Sequence, residues 1–129
     1  MNLLDYGIAV HDVGTTLIHL SNESEMFFNV DAKSLYLELP KYVDAYEESI
    51  KRLKQLQPPN VIYAEHNCLI KGVDGILDAL YHIFLGIDNE NNILDEEILA
   101  NGVLMINEHE ESLLNIIKVM MNKLVFYTL

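Results

Sequence analysis

Tryptophan is missing from this chain, cysteine occurs once, proline three times, and lysine plus arginine number only 8 against 20 aspartates and glutamates. Each scarcity removes a class of protein. The lone Cys68 can close no intrachain disulfide and build no Cys-based zinc site, so the fold must stand on its own core, and a reducing, cytoplasmic setting is expected. A formal net charge of −12 repels nucleic-acid phosphates and anionic lipid headgroups, and the one dense basic run is Lys51, Arg52 and Lys54. Neither nucleic acid nor membrane is an expected partner. That basic run also has a local reading, because cations in the last turn of a helix meet the negative end of its dipole.

Long hydrophobic runs are lacking too. The greasiest stretch, Leu113 to Tyr127, is broken by Asn115, Lys118, Asn122 and Lys123, whereas a membrane span needs roughly eighteen or more consecutive apolar residues. The opening Met1, Asn2, Leu3, Leu4, Asp5 has no basic segment and meets an acid at once, so it does not read as a secretory leader. Strand-like alternation and hairpin dipeptides are not seen, and no fixed-period repeat stands out.

What the chain does have is apolar periodicity, with half of its 129 residues hydrophobic and 22% charged. Leu3, Tyr6, Val10, Val13, Leu17, Leu20 and Phe27 recur at alternating intervals of three and four, predicting a first helix of roughly seven turns. A turn is expected near Asn29 to Asp31, with Asp31 as N-cap of the next segment. There Leu35, Leu39, Tyr42, Tyr46, Leu53 and Leu56 form one stripe, widened by Val43 and Ile50. Pro40 lies inside it and predicts a kink, or a short helix before it and a longer one after.

Gln57-Pro58-Pro59-Asn60 is a firm boundary, since consecutive prolines cannot continue a helix but can open one. Ile62, His66, Leu69, Val73, Ile76, Leu80, Ile83 and Ile87 then follow a heptad. The polar run Asp88 to Asn92 predicts a turn, with Asn92 and Asp95 resembling a capping arrangement. A fourth stripe of Leu99, Val103, Ile106, Leu113, Ile117, Met120, Leu124 and Tyr127 runs almost to the carboxyl end. Four long helices with short connections predict an all-α fold: a single-domain antiparallel up-down four-helix bundle over residues 1–129.

The six glycines fall in or near helical segments, where each costs about 1 kcal/mol against alanine. Gly7 and Gly14 lie one heptad apart in the first helix, and Gly72 and Gly75 lie on one stripe of the third. Close approach of a neighbouring helix is the expected return for that cost.

The second half of the fourth helix is apolar around most of its circumference, more than one core can cover. Leu114, Met121, Val125 and Phe126 are therefore expected to form an interface with another chain, a closed two-fold homodimer being the default form. No basic residue occurs between Lys71 and Lys118, while Asp74, Asp78, Asp88, Glu90, Asp95, Glu96, Glu97, Glu108, Glu110 and Glu111 all do. This acidic surface confers solubility, or else docks a basic protein partner.

Motifs of known mechanism are not found. There is no phosphate-cradling glycine loop, no nucleophile elbow and no His-Glu-x-x-His, and no histidine has a glutamate three residues before it as ferritin-like di-iron sites require. Asp88 to Leu99 has part of a calcium loop, but Ile93 occupies the place of its glycine and Leu99 that of its bidentate glutamate. The chain thus reads as a non-enzymatic interaction, adaptor or regulatory protein with no cofactor. The alternative is a metal-binding or metal-dependent bundle: antiparallel helices would bring His11, His66 and His109 to similar heights, where they could hold a divalent transition metal with Glu65, Cys68, Glu108 or Glu110 nearby.

Overall fold

A computed structural model describes residues 1–24 and 29–128; Phe27, expected on the first stripe, lies outside them. Among the described residues there are four α-helices and one small hairpin: α1 (Leu3–Ser24), α2 (Ala32–Gln55), α3 (Tyr63–Phe84), β1 (Ile87–Asp88), β2 (Ile93–Leu94) and α4 (Glu96–Thr128). A single 3-10 turn over Asn60–Ile62 leads into α3 directly after the proline pair. Helix α3 packs on α2 and most extensively on α4, and α1 closes the bundle against α2 and α4. The antiparallel arrangement of neighbours shows in the side chains: Tyr36 and Phe84 meet edge-on at the α2–α3 seam, and Gly7 of α1 lies against Leu124 of α4. The molecule is the all-α four-helix bundle that the three-to-four spacing predicts.

One contiguous core joins all four helices. Tyr6, Leu17, Leu35, Leu39, Leu53, Leu69, Ile83, Ile106 and Met120 are almost completely buried in it, so apolar burial from every helix supplies the main driving force. The predicted stripes of α1 and α3 match this core closely. On α4 the match is partial: Ile106, Leu113, Met120 and Leu124 are buried, but Tyr127 is more than half exposed because it lies in the helix's final turn.

Pro40 does not split α2, which runs unbroken from Ala32 to Gln55. Proline removes its own donor to the carbonyl four residues back and crowds that carbonyl with its ring. Because Pro40 sits on the exposed side, away from the core residues Leu39 and Val43, the loss falls where it does least harm. Asp31 caps α2 as expected, its carboxylate accepting from the Ser34 amide at 2.9 Å; those hydrogen bonds hold its pKa below the ordinary carboxylate value.

The α3–α4 connection departs from the expected turn. Instead of a simple polar loop, Ile87 pairs with Leu94 and Asp88 with Ile93 in a minimal antiparallel ladder, too short to register as alternation in sequence. The cap of α4 is Asp95, not Asn92: its carboxylate accepts from the Glu97 and Ile98 amides at 3.1 Å each. Asn92 turns the chain with a left-handed φ of 55°, and its side-chain oxygen accepts from the Lys33 amide at 3.1 Å. A residue 59 positions away thus satisfies a free donor in the first turn of α2. Asn92→Gly, which keeps the backbone conformation accessible while deleting the acceptor, is expected to cost about 1 kcal/mol in a thermal or urea melt; an unchanged midpoint would show that the tip does not cap α2.

Candidate interaction surface

Several large apolar side chains stay exposed on this bundle, among them Leu37, Leu85 and Leu104, and at the seam between α1 and α4 such residues line a groove. Gly7, His11, Gly14 and Ile18 follow one another along the flank of α1 at intervals of four, three and four, beside the core stripe and turned toward α4. Ile117, Met121, Leu124 and Val125 face them from α4. Two adjoining hollows result, of about 300 and 230 Å³, which share His11 and Met121 and are lined almost wholly by apolar side chains. The second exists because Gly14 carries no side chain: nothing stands within 4 Å of the place its Cβ would take.

Gly14 therefore corrects an expectation, since it is buried beside a hollow walled by Leu69, Ile117 and Met120 and takes part in no close helix contact. Gly7 likewise allows only ordinary contact, with Leu124 at 3.8 Å. Close approach belongs to the α3–α4 seam, where Leu113 would lie 3.1 Å from a Gly72 side chain and the His109 ring occupies the space that a Gly75 side chain would need. Gly102, on α4, does the same for Ile83. Sequence reasoning overlooked it because its place among the core positions shows only once α3 lies across it.

The four expected interface residues take different places. Leu114 and Val125 are exposed, Met121 is half-buried as a wall shared by both hollows, and Phe126 is 73% exposed beside Tyr127. Leu114, Met121 and Val125, seven and four residues apart, form one ridge along α4. The structure adds a matching ridge on α1 that the sequence reading missed: Leu4, 63% exposed, Ile8, 59% exposed, and Ile18. The signal for it was present as apolar residues falling outside the core stripe yet beside Gly7 and Gly14.

The three histidines are not brought together. Among the described residues no group of three or more His, Cys, Asp or Glu side chains is placed to hold a metal ion. His66 is buried in the core, its Nδ1 2.7 Å from the Tyr6 hydroxyl. His109 lies over Gly75, nine residues along α3 from His66, about 14 Å of helix rise. His11 faces outward onto the groove. The expected common height fails because the α3–α4 register is fixed by the glycine contacts. Glu65, a candidate ligand, instead accepts from Lys123, and that hydrogen bond holds the Glu65 pKa down; Lys123 also donates to the Val61 carbonyl. Cys68 is exposed and lines a shallow depression with Lys71, Gly72, His109 and Ser112.

The acidic surface is partly occupied by local work. Asp88 accepts from the Asn91 backbone and side-chain amides, which lowers its pKa, and Asp95 caps α4. Asp74, Asp78, Glu90, Glu96, Glu97, Glu108 and Glu111 remain exposed. On the α2–α3 side the Tyr81 hydroxyl donates to Glu47, and that bond, with Asp44 and Asp78 nearby, pushes the phenol pKa up. Asp44 and Glu47 of α2 thus adjoin Asp78 of α3 locally, although α2 as a whole carries five basic residues against four acidic ones.

The fold and the groove together define the chain as a helical bundle with an uncovered apolar seam, and none of its described helices is long and apolar enough to cross a membrane. No family model, curated protein or solved structure matches it.

Proposed function

We propose that this protein is a non-enzymatic interaction module that binds a second copy of itself through the α1–α4 seam and offers its acidic face to a basic protein partner. The observation that carries this reading is the groove at that seam, flanked by Leu4 and Ile8 on one side and Met121 and Val125 on the other. Contiguous apolar surface of that kind is unfavourable in water and marks a contact site far more often than a free surface. The exposed carboxylates of α3 and α4 would speed encounter with a cationic surface and set its orientation. A free, exposed Cys68 fits a reducing compartment, and we place the module in the cytoplasm.

Sedimentation equilibrium at micromolar concentration tests the reading. The wild-type chain is expected to give twice its 14.8 kDa mass. Val125→Glu, which places a charge on the apolar rim at an exposed position outside the core, should weaken association by about tenfold to a hundredfold. A strict monomer at 100 µM, on the order of the weakest association worth calling an interface, would dispose of it.

A further inference from the structure

We infer that the second copy seats with its two-fold axis parallel to the helices, so that α1 of each chain lies on α4 of the other, and that Asp12 and Lys118 form the two ion pairs that close the rim. This rests on self-association through the α1–α4 seam and adds its geometry. The starting point is the register within one chain. Gly7 lies against Leu124, and Gly14 shares its hollow with Ile117, so seven residues up α1 correspond to seven down α4. Asp12 therefore stands at the height of residue 119, one residue and about 1.5 Å from Lys118.

Both side chains are exposed, and among the described residues neither forms an ion pair within the chain. Asp12 lies at the outer edge of the first hollow. Lys118 stands one helical turn from both Leu114 and Met121, at the outer edge of the α4 ridge. An axis parallel to the helices preserves height and exchanges left for right. It sets Asp12 of one copy beside Lys118 of the other, and by symmetry does so twice. The same operation brings Ile18 near the height of Leu114 and Leu4 within two residues of Val125, about 3 Å of rise, so each exposed α1 ridge meets the α4 ridge opposite. An axis perpendicular to the helices at the same height instead lays α1 on α1 and α4 on α4. Asp12 then faces Asp12 and Lys118 faces Lys118, and like charges at an interface are strongly unfavourable.

Sedimentation equilibrium at low ionic strength on Asp12→Lys, Lys118→Asp and the double variant decides the geometry. Each single variant puts like charges at both rim contacts and is expected to raise the dimer Kd by about tenfold or more. The double variant restores opposite charges at both contacts and should return within about threefold of wild type. Unchanged melting of the isolated variants shows that the fold is intact. A double variant as weak as the singles, with dimer recovered only on mixing the two singles, would establish the perpendicular axis and overturn the inference. A wild-type dimer indifferent to both single changes would overturn it while leaving self-association standing. A wild-type monomer would remove both.

Discussion

Gly102→Leu is expected to lower the stability of the bundle by about 3 kcal/mol, or about 10 °C in melting temperature. A Cβ at Gly102 would collide with Cγ1 of Ile83 and stand 3.1 Å from its Cδ1 and 3.5 Å from the Ala79 carbonyl. Ile83 is 1% exposed and cannot swing aside, so the two helices must part or the side chain must strain. Alanine at the same position gains about 1 kcal/mol of helix propensity against an overpacking cost of roughly 1–3 kcal/mol, and should be neutral to mildly destabilising. Gly14→Ala provides the contrast. It meets nothing within 4 Å and should gain about 1 kcal/mol when measured in the Val125→Glu background, where the groove is empty. Differential scanning calorimetry of the three variants checks the set, and a Gly102→Leu protein melting with wild type would mean that α3 and α4 are not in close contact there.

His66→Ala is expected to cost a similar amount, about 3 kcal/mol, through the cavity it leaves and the unpaired Tyr6 hydroxyl. The ring is 3% exposed, and its Nδ1 lies 2.7 Å from that hydroxyl, which is itself fully buried. With the hydroxyl donating, the ring must be neutral. Burial lowers the His66 pKa, only partly offset by the Leu53 backbone carbonyl, which favours the charged form. Burial first, and the negative Glu65 second, also raise the pKa of Tyr6, so the phenol keeps its proton at all physiological pH values.

A pH dependence follows from the lowered His66 value. The unfolded ring takes up its proton near the ordinary value of 6.5, whereas the folded ring resists it until lower pH. Stability from the neutral ring is therefore complete above pH 6.5 and falls as the pH drops from there toward the folded value, with a slope of up to about 1.4 kcal/mol per pH unit. His66→Gln keeps a neutral acceptor near Tyr6 but cannot titrate, and should lose this component of the slope in urea titrations between pH 7 and 5, a range on the order of that over which histidine titrates. An equal slope in both proteins would place the titration elsewhere.

Tyr6, Val10, Val13 and Leu17 were legible as core because helical periodicity puts them on one side whatever lies opposite. The same holds for the α3 heptad, including His66 as a member of the apolar seam. Its partner was not legible, because Tyr6 is 60 residues away and meets it only across the core of the closed bundle. Asn92 is a similar case: its turn was readable, but its service to Lys33 depends on the hairpin folding back onto α2.

Four amphipathic segments, the proline boundary, the excess of acid and the surplus apolar surface of α4 were settled by local order along the chain, since propensity, spacing and charge are properties of neighbours in sequence. Tertiary structure alone decided the α3–α4 register, and with it the separation of His66 from His109. It likewise separated Gly72, Gly75 and Gly102, which admit a neighbour, from Gly14, which leaves a hollow. A missing side chain has the same local cost in all four places, and only the helix that does or does not lie across it determines whether that cost is returned as contact or as open groove.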